Sequence, residues 1–416
     1  MDKPLLISLF CLALILRMGA AMGIHVWLSH NSREYLIAGD ADGYWRLGHH
    51  LASGQPYEVY QPPRQVLRMP GYPLLIASSI RLFGDSRLGV RLIQAFLASF
   101  SVVIVALLAK EFFERRVAII SGVLLAISPA AVAFSTLLLS ETLFAVMLIL
   151  NLWLAVRWLK SGTTKIDLWG ALLTGISTAL VVYVRPTWIP AFVVWGGLAV
   201  ILKVDKTRWV EATIVLLTGL LALSPWAYRN HSLTGHWVLT TLWSGPSLYD
   251  GFNPDATGAS EMSFFDREQV MAVGGMSEYD MNRHYQRRAV EFMKSEPSHA
   301  LGLMFEHARR YWSLTPNADQ FRTTWLMLPL AIWNGLFLVL GAYGAWSFRR
   351  NLLPVIIIVG PMIAFAIIHT FFVGSLRYRL PAEYPFSIAV GVGMHLLWEK
   401  YGHKKHLLSE KQGVTL

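Results

Sequence analysis

The sequence predicts an all-α polytopic membrane protein of about ten transmembrane helices, with two large polar loops on one side. Three observations carry this. Hydrophobic residues make up 54% of the 416 and charged residues only 15%, against ~25% charged in soluble chains; mean hydropathy is +0.45. Ten runs are long and apolar enough for a crossing, which takes ~20 residues with ~17 tolerated. The lysines alternate by loop in step with those runs. A soluble domain would have nowhere to bury so much apolar surface. The single cysteine, Cys11, excludes an internal disulfide framework and a cysteine-based metal site. The net charge of +10 therefore reads as membrane sidedness, with no nucleic-acid partner.

The first run, Pro4–Trp27, follows Lys3 as a signal peptide would, but it is long and no small-residue cleavage site follows, so it reads as an uncleaved anchor. Arg17 falls inside it, where an arginine costs ~2.5–3.5 kcal/mol; a structural ion pair is expected. The first polar loop, residues 28–87, contains an amphipathic stretch, Tyr72–Phe83, suited to lying in the interface. Six runs follow: Leu88–Ala109, Val117–Thr136, Leu138–Leu159, Leu168–Val184, Thr187–Leu202 and Val210–Tyr228. The second polar loop, residues 229–324, opens with Gly- and Pro-rich loop sequence over Ser244–Gly258. It turns helical over Glu278–Lys294 and Ser298–Trp312, where apolar residues recur near 3.6 spacing. Trp325–Trp346, Leu352–Val373 and Ala382–Trp398 close the chain. This divides it into an N-terminal transmembrane module (1–228) with a catalytic first loop, a large loop (229–324), and C-terminal helices with a tail (325–416).

With the N-terminus inside, the inner connections are Lys110–Arg116, Arg157–Lys165, Lys203–Arg208, Arg349–Arg350 and the tail from Glu399. Every lysine except Lys294 then falls inside, as the positive-inside rule requires. The arginines do the opposite: only Arg115, Arg116, Arg157, Arg208, Arg349 and Arg350 lie inside. Guanidinium is the group of choice for bidentate phosphate recognition, so the outer excess points to a phosphate-bearing substrate. The plainer reading, that arginines snorkel to headgroups and pair with local acids, accounts for about half of them.

The first loop opens with Gly39-Asp40-Ala41-Asp42-Gly43-Tyr44-Trp45-Arg46. Two carboxylates two residues apart fit a general base or a metal ligand pair; a solvated turn is the plain alternative. On the ten-span topology Asp40, Arg68, Glu141, Arg185, Arg229, Arg377 and Arg379 come from separate segments, yet all fall on the outer side. Glu141 beside Ser140 could simply satisfy free N–H groups at a helix start, and Arg185 before Pro186 could be a turn residue. The adjacent His49 and His50 do not share a helical face, so they do not read as a metal pair.

Read on to Arg68-Met69-Pro70-Gly71-Tyr72-Pro73, this loop resembles the first outer loop of the GT-C glycosyltransferases. The closest likeness is to the branch using polyprenyl-phosphate sugars, with the lipid A aminoarabinose transferase and dolichyl-phosphate-mannose protein mannosyltransferase-like proteins. That family places an essential Asp four residues before a Tyr, which matches Asp40 and Tyr44; Asp42 has no secure counterpart. Ser140-Glu141-Thr142-Leu143-Phe144 looks like its second acidic site. Pro225-Trp226-Ala227-Tyr228-Arg229-Asn230 with Gly235, the stretch Ala289–Trp312, and Arg377-Tyr378-Arg379-Leu380-Pro381 resemble its later motifs.

The resemblance implies a membrane glycosyltransferase moving a sugar from a polyprenyl-phosphate donor to a lipid, glycan or protein acceptor at the outer face, with inversion. Asp40 and Glu141 would be catalytic. Asp42, Tyr44, Arg68, Tyr72, Arg185, Arg229, Arg377, Tyr378 and Arg379 would bind substrate. No cofactor is required and no metal site is assigned, the Asp40–Asp42 pair leaving a divalent ion as a minor alternative. The implied location is a multi-pass protein of the bacterial inner membrane with its site toward the periplasm. The competing class is a transporter or flippase of lipid-linked saccharides.

Overall fold

A computed structural model of the protein describes residues 1–37, 39–161, 166–202, 206–265, 275–317 and 324–411. Lys165, Lys203, Arg267 and Arg322, counted among the charges above, lie outside them. The described residues are helical, with no sheet. In order they form α1 (Lys3–His30), α2 (Asp40–Ser53), α3 (Gly71–Phe83), α4 (Arg87–Lys110), α5 (Arg115–Ile127), α6 (Pro129–Phe134), α7 (Glu141–Lys160), α8 (Leu168–Val184) and α9 (Ala191–Leu202). There follow α10 (Lys206–Thr234), α11 (Ser244–Gly251), α12 (Glu278–Ser295), α13 (Pro297–Tyr311), α14 (Thr324–Phe348), α15 (Leu352–Thr370) and α16 (Leu376–Lys411).

Six helices among the described residues, α1, α4, α7, α10, α14 and α15, are long and apolar enough to cross a membrane. The protein is therefore an integral, multi-pass membrane protein. The other four expected runs become a helix broken at Pro129, two shorter apolar helices (α8 and α9), and the long α16. Short connections make successive helices antiparallel, so α4 packs on α1, α5 and α7, α8 fits between α7 and α10, and α16 lies on α5, α7 and α14. The α14–α16 contact is backbone to backbone. A Cβ on Gly344 would sit 1.9 Å from the Ala389 carbonyl oxygen, the kind of approach only a small residue permits between membrane helices.

The expected run Val117–Thr136 is interrupted because Pro129 has no N–H to continue α5; Ser128 accepts from Ala131 N at 3.3 Å and opens α6. The break leaves the last α5 carbonyls without helical partners. Arg17 supplies them: it is fully buried and donates to Leu125 O at 3.0 Å and Ala126 O at 3.2 Å. The expected ion pair is thus replaced by a guanidinium cap on the negative end of a helix dipole.

The first loop folds as two helices, α2 and α3, packed together, so the acidic Asp40–Asp42 stretch is a helix start, not a turn. Within Ser244–Gly258, Ser244–Gly251 is likewise helical. The amphipathic helices α12 and α13 start and end within two residues of the expected bounds. They bury Met281, Tyr285, Ala289, Phe292, Ala300 and Leu303 in a small second core with Tyr249 and Phe252 of the α11 segment.

Candidate active site

The candidate cluster forms where ends of α2, α7, α8 and α16 meet. Asp40 is the first residue of α2 and Glu141 the first of α7. Each sits where unpaired N–H groups and the helix dipole favour an anion. Arg185 follows the last turn of α8, and Arg377 stands in the first turn of α16. Arg68 comes from the irregular chain before α3.

These five side chains form one chain of charge. Arg68 Nη2 donates to Asp40 Oδ1 at 2.8 Å, and Arg377 Nη2 meets Asp40 Oδ2 at 2.9 Å. Arg377 Nε donates in turn to Glu141 Oε1, which Arg185 Nη1 approaches at 3.2 Å. Gly43 makes room for this: a Cβ there would come within 3.3 Å of Arg68 Nη2 and 2.7 Å of the Tyr60 hydroxyl. Burial alone would raise the Asp40 carboxyl, but the guanidinium groups of Arg68 and Arg377 outweigh it and hold it well below the usual carboxylate range. Glu141 is fully buried, and its Oε2 has no hydrogen-bond partner.

Aromatic rings set these groups in place. Tyr44 lies 4.2 Å beneath the Arg68 guanidinium, donates to Ser140 Oγ at 3.1 Å and meets Tyr72 edge-on at 4.9 Å. Tyr378 stacks on His369 with centroids 4.2 Å apart and lies 5.3 Å from the Arg185 guanidinium. Above the cluster opens a cavity of about 1050 Å³. It is lined by Asp40, Tyr44, Arg68, Arg185, Arg377 and Tyr378, and also by the apolar Val184, Ile368, Phe372 and Val373; Glu141 is buried beside Arg377 and Arg185. The arrangement can hold a phosphate against guanidinium groups while a chain or ring lies along the apolar side.

Four of the expected substrate-binding residues do not line this cavity. Asp42 pairs with Arg46 in its own helix at 2.8 Å. Tyr72 is buried and donates to Gln94 Oε1 at 2.6 Å, tying α3 to α4. Arg229 donates to Gln65 O at 3.1 Å and Tyr57 O at 3.3 Å, fastening the first loop to α10. Arg379, fully buried, pairs with Glu383 at 2.7 Å and donates to Tyr311 O and Ser313 O. Residues two apart on a helix point ~200° apart, which separates Arg377 from Arg379 and Asp40 from Asp42. The two aspartates do not converge on a common ion. Among the described residues the donor group that does converge is Glu114, His395 and Glu399, ~27 Å along α16 from Arg377 at 1.5 Å per residue.

The cavity is also lined by Arg46, Arg64, Tyr60, Trp243 and His369, which sequence reasoning did not single out. His369 had a usable signal: it is an ionisable residue inside an apolar run, a functional pointer by default.

The family model of dolichyl-phosphate-mannose-protein mannosyltransferases matches residues 63–228. No curated protein matches the sequence. The oligosaccharyltransferase of Archaeoglobus fulgidus in its apo form superposes with a TM-score of 0.54 at 14% identity, covering 98% of this chain and 52% of its own. The chain shares the fold of that oligosaccharyltransferase. The chain spans about half the length of that enzyme. The same archaeal enzyme, in complex with an inhibitory peptide and a dolichol-phosphate, gives 0.50 at 14% identity over 99% of this chain and 52% of its own. ArnT from Cupriavidus metallidurans bound to undecaprenyl phosphate gives 0.47 at 12% identity, over 100% and 82%.

Proposed function

We propose that the chain is a membrane glycosyltransferase that moves a sugar from a polyprenyl-phosphate donor to an acceptor hydroxyl on a lipid, glycan or protein. The observation that carries this is the cavity cluster: Arg68, Arg185 and Arg377 share two carboxylates, Asp40 and Glu141, on the wall of a cavity with an apolar flank. A lipid phosphate needs both halves of that arrangement. The mannosyltransferase family match and the fold shared with an oligosaccharyltransferase that takes a dolichol-phosphate support the same substrate class.

In the reaction the acceptor O–H gives its proton to Asp40 as its oxygen attacks the anomeric carbon in line. The bond from that carbon to the phosphate oxygen breaks, and the phosphate leaves with the electron pair, inverting the centre. Arg377, Arg68 and Arg185 stabilise the charge that develops there. Asp40 is a weak base while two guanidinium groups hold it. A donor phosphate that draws them away restores its basicity, so donor binding switches the base on. Arginine supplies the positive charge a metal would otherwise bring, and the reading requires no cofactor.

Sidedness follows from charge. Lys110 and Lys160 end α4 and α7, and Arg115 pairs with Asp2, all at the end of the bundle opposite the cavity. The positive-inside rule then turns the cavity outward, to the periplasm of a bacterial inner membrane. A flippase would gather its polar groups at mid-membrane; here they gather at one end.

Purified protein in detergent should transfer sugar from a polyprenyl-phosphate donor. Robust transfer from a nucleotide sugar with no lipid carrier present would overturn the reading. In a Cys11→Ser background, Ser53→Cys should react with an impermeant thiol reagent from outside and Lys400→Cys should not; the reverse pattern would put the site on the wrong side.

A further inference from the structure

Arg64 stands apart from the five charges of the cluster. Its backbone pairs with Val59 across a short loop, at 2.9 and 3.1 Å. The residue is only 2% exposed, yet it lines the same cavity. Two of its side-chain nitrogens, Nε and Nη2, are buried without a hydrogen-bond partner. Those two are the adjacent donors on one edge of a guanidinium, the fork that grips an oxyanion side-on. The nearby acid does not use them. Glu278 spends its carboxylate on the backbone N–H groups of Gln65 at 2.8 Å and Val66 at 3.1 Å. The ring of Phe265, which also lines the cavity, has its centroid 5.9 Å from the guanidinium carbon. Burial pulls the Arg64 guanidinium below its ordinary range, with Glu278 and Tyr285 opposing that fall. Holding a charge in such a place without a partner is costly, whereas Arg68, Arg185 and Arg377 all have carboxylate partners.

We infer that Arg64 forms a second oxyanion subsite in the cavity, taking a phosphate-class group other than the one held by Arg68 and Arg377. The inference rests on the glycosyltransferase reading and sharpens its substrates: the second anion is either the lipid-side phosphate of a diphosphate-linked carrier or an acidic group on the acceptor.

The test uses full-length protein in detergent, with Arg64→Met and Arg64→Lys. Binding is titrated with a polyprenyl monophosphate, the matching diphosphate and, on monophosphate-loaded protein, a soluble sugar phosphate. One charge-assisted bidentate contact predicts an Arg64-dependent affinity gain of ~10- to 100-fold for one of the last two ligands. If the gain is for the diphosphate and vanishes in Arg64→Met, the second group belongs to the carrier. If it is for the sugar phosphate and vanishes likewise, the group belongs to the acceptor. Arg64→Lys should recover only part of it. Arg64→Met should leave the unliganded melting temperature equal or higher, because an unpartnered buried charge is removed. A lower melting temperature, or unchanged affinity for both ligands, would overturn the inference. Monophosphate binding and sugar transfer report on the main reading separately. A protein that keeps the Arg64-dependent gain but transfers nothing would sink that reading and leave this one standing.

Discussion

Two ionic clusters sit at opposite ends of the bundle. At the end away from the cavity Arg208 and Glu211 pair one to one at 2.6 Å, both essentially buried. Every remaining group there is closed off: Trp158 Nε1 and Asp167 N donate to Glu211, and Arg208 donates to the carbonyls of Trp158 and Ser161. At the cavity end three guanidinium groups share two carboxylates, one carboxylate oxygen has no partner, and the cluster opens on a cavity. Saturation marks the first as a fastener. Surplus donors beside empty space mark the second as a place where a ligand completes the arrangement. Arg379 with Glu383 is a further fastener, only two residues from Arg377.

Substitutions can break this contrast in graded steps. Asp40→Asn should lower transfer ~10²- to 10⁴-fold through loss of the base, with the melting temperature nearly kept; near-normal rates in a steady-state assay would move the base to Glu141. Arg208→Met should do the converse. It strands Glu211 and costs about 3 kcal/mol of stability, measured as a fall in the detergent melting temperature, while the rate per folded molecule holds. Arg377→Lys keeps the charge but loses a fork shared between Asp40 and Glu141, so donor use should weaken ~10-fold, read as kcat/KM; equal activity would make Arg377 a mere charge. On acidification, Asp40 has a folded value below its unfolded one. Its stabilisation is therefore complete above pH ~4 and is lost as pH falls through the folded value. Wild type should accordingly lose melting temperature more steeply than Asp40→Asn below pH ~4. The smallest effect should come from Asp42→Asn: its pair with Arg46 is half in solvent, worth under ~1 kcal/mol, and activity should change less than ~5-fold, provided Asp42 takes no part in catalysis.

Much of the architecture was legible because membrane spans are written in continuous apolar runs. Topology put Asp40, Glu141, Arg68, Arg185 and Arg377 at one end of the bundle, but it put Arg229 and Arg379 there too, and these do not join the cluster. What stayed hidden depends on phase and on partners far along the chain. α2 reads as loop because its sequence has two glycines (Gly43, Gly48) and an Asp-rich start; packing against α3 makes it a helix. Arg377 and Arg379 look equivalent in sequence, and only the register of α16, with the carbonyls of Tyr311 and Ser313 behind it, assigns one to the cavity and the other to the interior. Arg64 carried no signal, because a loop arginine reads as solvated, whereas the fold leaves it only 2% exposed.

The cap that Arg17 places on α5 also bears on how the chain is made. Its acceptor Leu125 lies 108 residues downstream, so during synthesis α1 emerges with an unaccompanied guanidinium and waits. At ~5–20 residues per second the interval is on the order of ten seconds. Until then the first helix gains by remaining near the aqueous boundary or the insertion machinery, and α5 is the segment that lets it settle into lipid. One side chain thus ties the first helix to a segment made 108 residues later.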